Sequence, residues 1–146
     1  KEPEMDKIAG FIADAIFDFD NKADAIRAGV EEICKQYLWK LNREGRAVIP
    51  FTSLGRWWGN DPRQKSQAEI DIIGESDKDT ALFGECKWTN EKVDLGVLET
   101  LVERSTLFSY KKTHFYLFAK VGFTKGCMKK AQELGNVTLV EYSTMI

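Results

Sequence analysis

Three acidic residues and a lysine lie in two mostly apolar runs near the middle of the chain. The first run, "EIDII", carries Glu69 and Asp71, and the second, "GECKW", carries Glu85 and Lys87. A charged side chain is costly to bury unless it is paired or binds a metal ion. Two carboxylates can hold Mg²⁺ or Mn²⁺, since these ions keep several water ligands. The pattern therefore predicts a metal site at Asp71 and Glu85.

A metal site of this kind is suited to the hydrolysis of phosphate esters. The ion would polarise a phosphoryl oxygen and acidify a bound water. Lys87 would stabilise the charge that develops on the phosphate or orient the attacking water. The alternative is a cross-strand pair between a carboxylate and Lys87 that has no function. These residues alone leave both interpretations open, and Glu69 adjoins the site without an assigned role.

The alternation of side chains in a strand predicts how "EIDII" is oriented. Glu69, Asp71 and Ile73 are expected on one face of the strand, and Ile70 and Ile72 on the other. The polar face would then carry the carboxylates toward one side of the sheet.

The same argument applies to "GECKW", where Glu85 and Lys87 are expected on one face and Cys86 on the reverse. The short turn "DKDT" between the two runs predicts an antiparallel hairpin. In such a hairpin Asp71, Glu85 and Lys87 can converge.

The remaining elements follow from apolar periodicity and from turn residues. The order is α-β-β-β-α-β-α-β, which predicts an α/β fold with a mixed central sheet flanked by helices. The predicted elements are a helix over 29–42, a strand over 46–58 with an edge or bend at Pro50, a polar turn over 60–67, strands over 68–76 and 81–89, a helix over 94–108, a strand over 113–122, a helix over 124–135 begun by Thr124 and ended by Gly135, and a strand over 136–143.

The chain divides into a domain over 29–146 and an N-terminal segment over 1–28, which is expected to form one or two helices. That segment is interpreted as an appendage or as the tail of a preceding domain. In the helix over 29–42, Glu31 lies at the edge of the apolar stripe, whereas Glu32 lies almost opposite it. Glu31 is therefore expected to reach an adjoining site, and Glu32 to face water.

Composition excludes several classes of protein. The 146 residues suit one domain, and no apolar run approaches the length of a membrane span. The single histidine, His114, excludes metal sites built from several imidazoles and is expected to be structural. The three separated cysteines indicate buried reduced thiols in a cytoplasmic protein. A net charge of −2 does not favour strong nonspecific binding of nucleic acid.

The acid–acid–lysine set resembles the PD-(D/E)XK phosphodiesterase superfamily, which includes restriction endonucleases, archaeal Holliday-junction resolvases and Mrr-like nucleases. The core order of that group, α-β-β-β-α-β, matches residues 29–122. The resemblance implies a restriction-endonuclease-like core and a Mg²⁺- or Mn²⁺-dependent deoxyribonuclease. It implies that Asp71 and Glu85 are the metal acids, that Lys87 is the catalytic lysine, and that Glu31 is the acid carried by the first core helix.

A closer resemblance is to the nuclease-like domain at the C-terminus of a family of archaeal and bacterial AAA+-type ATPases. In that domain "GRWWG" precedes "EID", and a segment like "GECKW" follows; here "GRWWG" spans 55–59. Ile70 stands before Asp71 where the superfamily motif has Pro, and this change removes no ligand. The chain has no GxxxxGK[ST] phosphate loop. The resemblance thus implies an ATPase module upstream, and the missing initiator Met agrees with that expectation.

Aromatic and basic residues near the acids are the expected contacts to nucleic acid. Adjacent Trp57 and Trp58 cannot face the same side of a strand, so one is expected in the core and the other along the groove. Phosphate contacts and base stacking are assigned to Arg56, Trp58, Arg63 and Lys65.

These observations predict two alternative functions. The first is a metal-dependent DNA phosphodiesterase domain that is C-terminal to an ATPase. The second is a non-catalytic module of that ATPase, which would bind DNA or dock a protein and retain an idle site; the acidic pI of about 5.5 motivates it. A third interpretation, an α/β domain without a nucleic-acid role, stays open, as does homo-oligomerisation. No membrane partner is expected.

Overall fold

The computed structural model describes residues 19–145, with side chains described from residue 24 onward. Residues 1–18, which hold most of the predicted N-terminal segment, lie outside the described residues. The described elements, in chain order, are α1 Phe19–Arg43, β1 Ser53–Asp61, β2 Ser66–Asp77, β3 Thr80–Lys87, α2 Leu95–Ser105, β4 Lys112–Ala119, α3 Lys125–Leu134, β5 Val137–Glu141 and a final 3-10 turn Tyr142–Thr144. This order confirms the predicted α-β-β-β-α-β-α-β succession.

The five strands form one mixed sheet in the order β1-β2-β3-β4-β5. The first three strands pair in antiparallel fashion, and β3, β4 and β5 pair in parallel. Parallel neighbours need a crossover connection, and α2 and α3 supply the two crossovers here. The predicted mixed sheet and the predicted hairpin between β2 and β3 are both confirmed.

Helices cover both faces of this sheet. On one face, Cys34 and Leu38 of α1 pack with Ile72 of β2 in an apolar cluster. On the other, Leu98 of α2 and Cys127 of α3 belong to a second cluster. We call these the α1-side cluster and the α2-side cluster. Burial of these apolar side chains is the main favourable contribution to the fold.

The first helix differs from the prediction at its start. It begins at Phe19, ten residues before the predicted start at residue 29, and runs without a break to Arg43. The predicted boundary between residues 28 and 29 therefore falls inside one continuous helix. Among the described residues, none of the helices has the length and apolar content needed to cross a membrane.

The first strand also begins later than predicted, at Ser53 rather than at residue 46. The reason lies in Asn42, whose Nδ2 donates to the carbonyl oxygen of Phe51 at 3.0 Å and whose Oδ1 accepts from the Phe51 N–H at 3.2 Å. This side chain satisfies the main chain of Phe51 in place of a strand partner. The strand then continues to Asp61, and β2 begins at Ser66, so the polar turn is shorter than predicted.

The other predicted elements agree with the structure to within three residues at each end. Thr124 caps α3 by accepting from the Cys127 N–H at 3.2 Å, as predicted. Gly135 ends that helix with φ +78°, a left-handed conformation that favours glycine. His114 is buried, with Nε2 2.7 Å from the Thr138 hydroxyl, which agrees with a structural role. The three cysteines are buried and free.

Candidate functional site

A β-bulge lies in β2 at the acid that the sequence singles out. Asp71 and Ile72 together stand opposite Arg56 of β1. The strand pairs on either side of the bulge are Gly55–Ile73 and Trp57–Ile70. An extra residue of this kind interrupts the alternation of side chains and bends the strand.

The bulge overturns the predicted orientation of "EIDII". Ile70 and Ile73 both pack with the α2-side cluster, whereas Ile72 belongs to the α1-side cluster. The prediction that Ile70 and Ile72 share a face is therefore wrong, because it assumed regular alternation. The bulge also brings Asp71 close enough to Glu31 of α1 for their charges to interact.

Asp71 is buried, with 7% of its surface exposed. Its Oδ2 accepts a hydrogen bond from the Cys86 main-chain N–H at 2.9 Å. This bond connects β2 to β3 and fixes the orientation of the carboxylate. A carboxylate that is held in this way is positioned to act as a ligand without further movement.

Glu85 and Lys87 lie together on β3, and Lys87 Nζ is 3.3 Å from Glu85 Oε2. Between them, Cys86 turns into the α1-side cluster, which confirms the predicted alternation on this strand. Asp71, Glu85 and Lys87 all line one cavity of about 580 Å³. The structure thus brings together the three residues that the hairpin was expected to unite.

The electrostatics of this cavity disfavour the charged form of Glu85. Burial, and next the charge of Asp71, raise the pKa of Glu85 from its ordinary 4.5 to about 7. The charges of Lys87 and Arg104 act in the opposite direction and do not offset these effects. The nearby cations therefore only partly stabilise the carboxylate form of Glu85.

Glu31 is a further carboxylate beside this cavity, in addition to the lining acids Glu69, Asp71 and Glu85. It is only 5% exposed, and its Oε2 makes no hydrogen bond within the described residues. Burial, and then the charge of Asp71, raise its pKa, while Arg56 at 3.9 Å lowers it. Glu32 is exposed and pairs with Lys35 at 3.8 Å. The predicted difference between Glu31 and Glu32 is confirmed.

Arg56 is the one residue of the predicted nucleic-acid set that lies beside the acids. Its Nη2 is 3.1 Å from Oε1 of Glu69, and its Nη1 is 3.9 Å from Oε1 of Glu31. The Glu69 side chain is half exposed. Arg56 therefore connects a buried carboxylate to a surface carboxylate at the edge of the site.

The other predicted contact residues lie apart from the cavity. Trp58 is 65% exposed, whereas Trp57 packs against Phe108 at a ring separation of 5.2 Å, so the two do face opposite sides. Arg63 donates to the Thr106 hydroxyl at 2.9 Å and so ties the β1–β2 turn to the end of α2. Lys65 is exposed in that turn, with φ +52°.

Arg104 lines the cavity and was missed from the sequence. Its Nη1 donates to the carbonyl oxygen of Glu69 at 2.6 Å. A signal for it exists in α2, because Arg104 follows the buried Leu101 by three positions and so shares the sheet-facing side of that helix.

Within residues 19–145, no group of three or more His, Cys, Asp or Glu side chains is arranged to hold a metal ion. The carboxylates that line the cavity are Glu69, Asp71 and Glu85, and Glu31 lies near Asp71. Oxygen donors of this type favour hard ions such as Mg²⁺ and Mn²⁺.

Comparison with known proteins places the chain in a family. Residues 12–98 match DUF234, described as archaeal and bacterial proteins of unknown function. The chain belongs to this family. The DUF234 match includes Glu31, Asp71, Glu85 and Lys87 and ends before Arg104.

Two individual proteins are similar to the chain. It is 35% identical over 86 residues to the uncharacterized protein MJECL04 of Methanocaldococcus jannaschii. That match covers 56% of this chain and 18% of the relative, so the chain spans less than a fifth of that protein. The crystal structure of AF1548, a protein of unknown function, aligns with a TM-score of 0.47 and 19% identity, covering 74% of this chain and 57% of the other.

Proposed function

We propose that this chain is a Mg²⁺- or Mn²⁺-dependent phosphodiesterase domain that hydrolyses DNA. One observation carries the proposal: Asp71, Glu85 and Lys87 line a single cavity at the end of a β-hairpin. The order of elements and the antiparallel β1-β2-β3 unit support a restriction-endonuclease-like core. Two carboxylates next to a lysine on such a core suit phosphoryl chemistry.

The residues present fit a divalent cation. The raised pKa of Glu85, which arises first from burial and then from Asp71, indicates that this carboxylate lacks stabilising partners. The buried Glu31 Oε2 without a hydrogen-bond partner points to the same deficit. Asp71 and Glu85 would hold the ion. When bound, it would polarise a phosphoryl oxygen and lower the pKa of a water.

The protein groups around this position have separate tasks in the proposal. Lys87 lies 3.3 Å from Glu85 and can donate to a phosphate oxygen as negative charge develops there. The main-chain N–H of Cys86 holds Asp71 in place. Glu31 would accept a hydrogen bond from a water beside Asp71. Together these groups orient the phosphate and the nucleophile before the reaction.

The sequence resemblance supports a location at the C-terminal end of an AAA+-type ATPase. MJECL04 is several times longer than the matched region, so most of that relative lies outside the similar segment. We propose that an ATPase module of the same full-length protein is the partner of this domain.

The alternative is that the domain binds DNA or docks a protein without hydrolysis. The sequence pI of about 5.5 favours the docking of a protein within this alternative, since a net negative charge does not attract DNA over long distances. Calorimetric titration with Mn²⁺ separates the two functions. Binding that is lost in Asp71→Asn supports the enzyme, whereas no binding at millimolar metal supports the docking module.

The direct test is a cleavage assay. The chain would be incubated with supercoiled plasmid, single-stranded DNA and branched DNA in the presence of Mn²⁺ or Mg²⁺. We expect cleavage that EDTA abolishes and that Asp71→Asn and Lys87→Ala each reduce by on the order of 10³-fold, since metal ligation and charge stabilisation contribute several kcal/mol.

Two surface substitutions serve as matched controls in that assay. Glu99 on α2 and Lys129 on α3 are exposed and do not line the cavity. Glu99→Gln and Lys129→Ala should cleave like the wild type. Cleavage that persists unchanged in Asp71→Asn and Lys87→Ala would come from a contaminating nuclease or from another site, and the proposal would be wrong.

A further inference from the structure

Arg104 differs from the other cations at the cavity in what holds it. Lys87 pairs with the carboxylate of Glu85, and Arg27, which also lines the cavity, lies 3.9 Å from Asp24. Arg104 instead donates to a main-chain carbonyl oxygen, that of Glu69, at 2.6 Å. None of the ion pairs formed by residues 19–145 includes Arg104. Its guanidinium therefore lies at the cavity without an ion-pair partner, although its charge lowers the pKa of Glu85.

The remaining donors of Arg104 make no other side-chain hydrogen bond within the described residues. A guanidinium has five N–H donors, and the bond to Glu69 uses one of them. The rigid fork of the remaining donors matches two oxygens of a phosphate group. Because the anchoring acceptor is neutral, an incoming anion does not have to displace a carboxylate to reach the guanidinium.

The position of Arg104 complements that of the acids. It enters from α2, the helix on one face of the sheet, whereas Glu31 enters from α1 on the other face. Both helices thus contribute to the surroundings of Asp71 and Glu85 on the hairpin. An anion bound by Arg104 would lie at the same cavity as the proposed metal ligands.

We propose that Arg104 is a phosphate-binding residue. It would donate hydrogen bonds to a phosphodiester oxygen of a DNA strand bound in the cavity beside Asp71 and Glu85. This inference rests on the proposed function and adds the residue that positions the substrate. The competing explanation is a purely structural role, in which the bond to Glu69 only holds the last turn of α2 against β2. The two explanations differ in what the loss of Arg104 changes.

The experiment measures DNA binding apart from cleavage. A short fluorescein-labelled DNA duplex is titrated with the chain in Ca²⁺ instead of Mn²⁺, and the length of the DNA is checked afterwards. We expect Arg104→Met to weaken binding at least about tenfold, since a charge-assisted hydrogen bond is lost. The slope of log affinity against log salt should also fall by about one.

Two further variants complete the design. Arg104→Lys keeps the charge and one donor for Glu69 but loses the fork, so we expect an intermediate affinity. Arg43→Met, at the exposed C-terminal end of α1 and outside the cavity, should bind DNA like the wild type. Binding of Mn²⁺, followed by calorimetry, should survive in Arg104→Met because the carboxylates are intact.

The outcomes separate this inference from the proposed function. One outcome is that Arg104→Met folds, binds DNA within about twofold of the wild-type affinity and differs only in a lower melting temperature. In that case Arg104 has a structural role and the inference is wrong, whatever the cleavage assay shows. If Arg104→Met does not fold, wild-type affinity in Arg104→Lys overturns it. A wild-type chain that does not bind the duplex overturns it too. Binding that depends on Arg104 without any cleavage keeps the inference and rejects hydrolysis.

Discussion

Two aspartates of the β1–β2 hairpin are buried to nearly the same degree and have opposite surroundings. Asp61 is 4% exposed and Asp71 is 7% exposed. Asp61 accepts from the Arg63 main-chain N–H at 2.9 Å, and the Arg63 guanidinium lies 3.4 Å from the same oxygen. The buried charge of Asp61 is thus compensated by its own turn.

Asp71 also accepts a main-chain hydrogen bond, from Cys86, but its charged neighbours include two acids. The pKa values of Glu31 and Glu85 are raised, in each case first by burial and then by Asp71. Burial of a carboxylate therefore does not by itself mark a functional site. The difference is that Asp61 has a cation beside its own carboxylate, whereas burial and the charge of Asp71 outweigh the cations near Glu31 and Glu85.

Among variants that test this comparison, the largest change in the free energy of unfolding is expected when the charge of Glu85 is removed. In the metal-free protein the folded state holds the Glu85 proton more tightly than the unfolded state, because the pKa rises from 4.5 to about 7. This contribution to stability is complete below pH 4.5 and is lost as the pH rises through about 7. Glu85→Gln should therefore raise the free energy of unfolding at pH 8 by about 2 kcal/mol, after allowing for the lost Lys87 pair.

Urea unfolding in EDTA at pH 4 and at pH 8 measures this gain, which should disappear at the lower pH. The exposed Glu99→Gln is the control and should change the free energy of unfolding by less than about 0.5 kcal/mol at either pH. If Glu85→Gln is less stable than the wild type at pH 8, the charge of Glu85 is compensated in the folded state, as that of Asp61 is, and the expectation is wrong.

A smaller effect of the opposite sign is expected at Asp61. Asp61→Ala removes the acceptor of the Arg63 N–H and should lower the free energy of unfolding by about 1–2 kcal/mol. Arg63→Ala keeps that main-chain bond and loses a half-exposed ion pair, so we expect a loss of less than about 1 kcal/mol. Denaturant unfolding of both variants measures the two contributions. Equal losses in the free energy of unfolding would show that the guanidinium of Arg63, and not its main-chain N–H, compensates Asp61.

The fold was largely predictable because its signals are local. The hairpin that unites Asp71, Glu85 and Lys87 follows from alternating patterns and a short turn within one stretch of sequence. The late start of β1 was not predictable in the same way, since it depends on Asn42, a helix residue that binds the main chain of Phe51. Local propensity does not contain such a contact.

The convergence of Asp71, Glu85 and Lys87 was predictable from the sequence, but the geometry around these residues was not. The bulge opposite Arg56 depends on how β1 and β2 pair, and alternation alone assumes that the pairing is regular. Arg104 lies 35 positions from Glu69 in the sequence, so only the packing of α2 on the sheet joins them. The restriction-endonuclease-like core and the assigned roles stay predictions.

The smallest expected effect is on the titration of Glu85 when its neighbour changes. Asp71→Asn removes the second cause of the raised Glu85 pKa and keeps the first, which is burial. The pKa of Glu85 should therefore fall below about 7 and stay above 4.5 in the metal-free variant. Carbon-13 NMR of the carboxyl group gives this value directly.

Asp61→Asn is the matched control and should leave the Glu85 titration unchanged, because the charge of Asp61 is compensated within its own turn. If both variants moved the titration equally, the shift would report a general change in the hairpin, and the acids at Asp71 would not form a separate electrostatic unit.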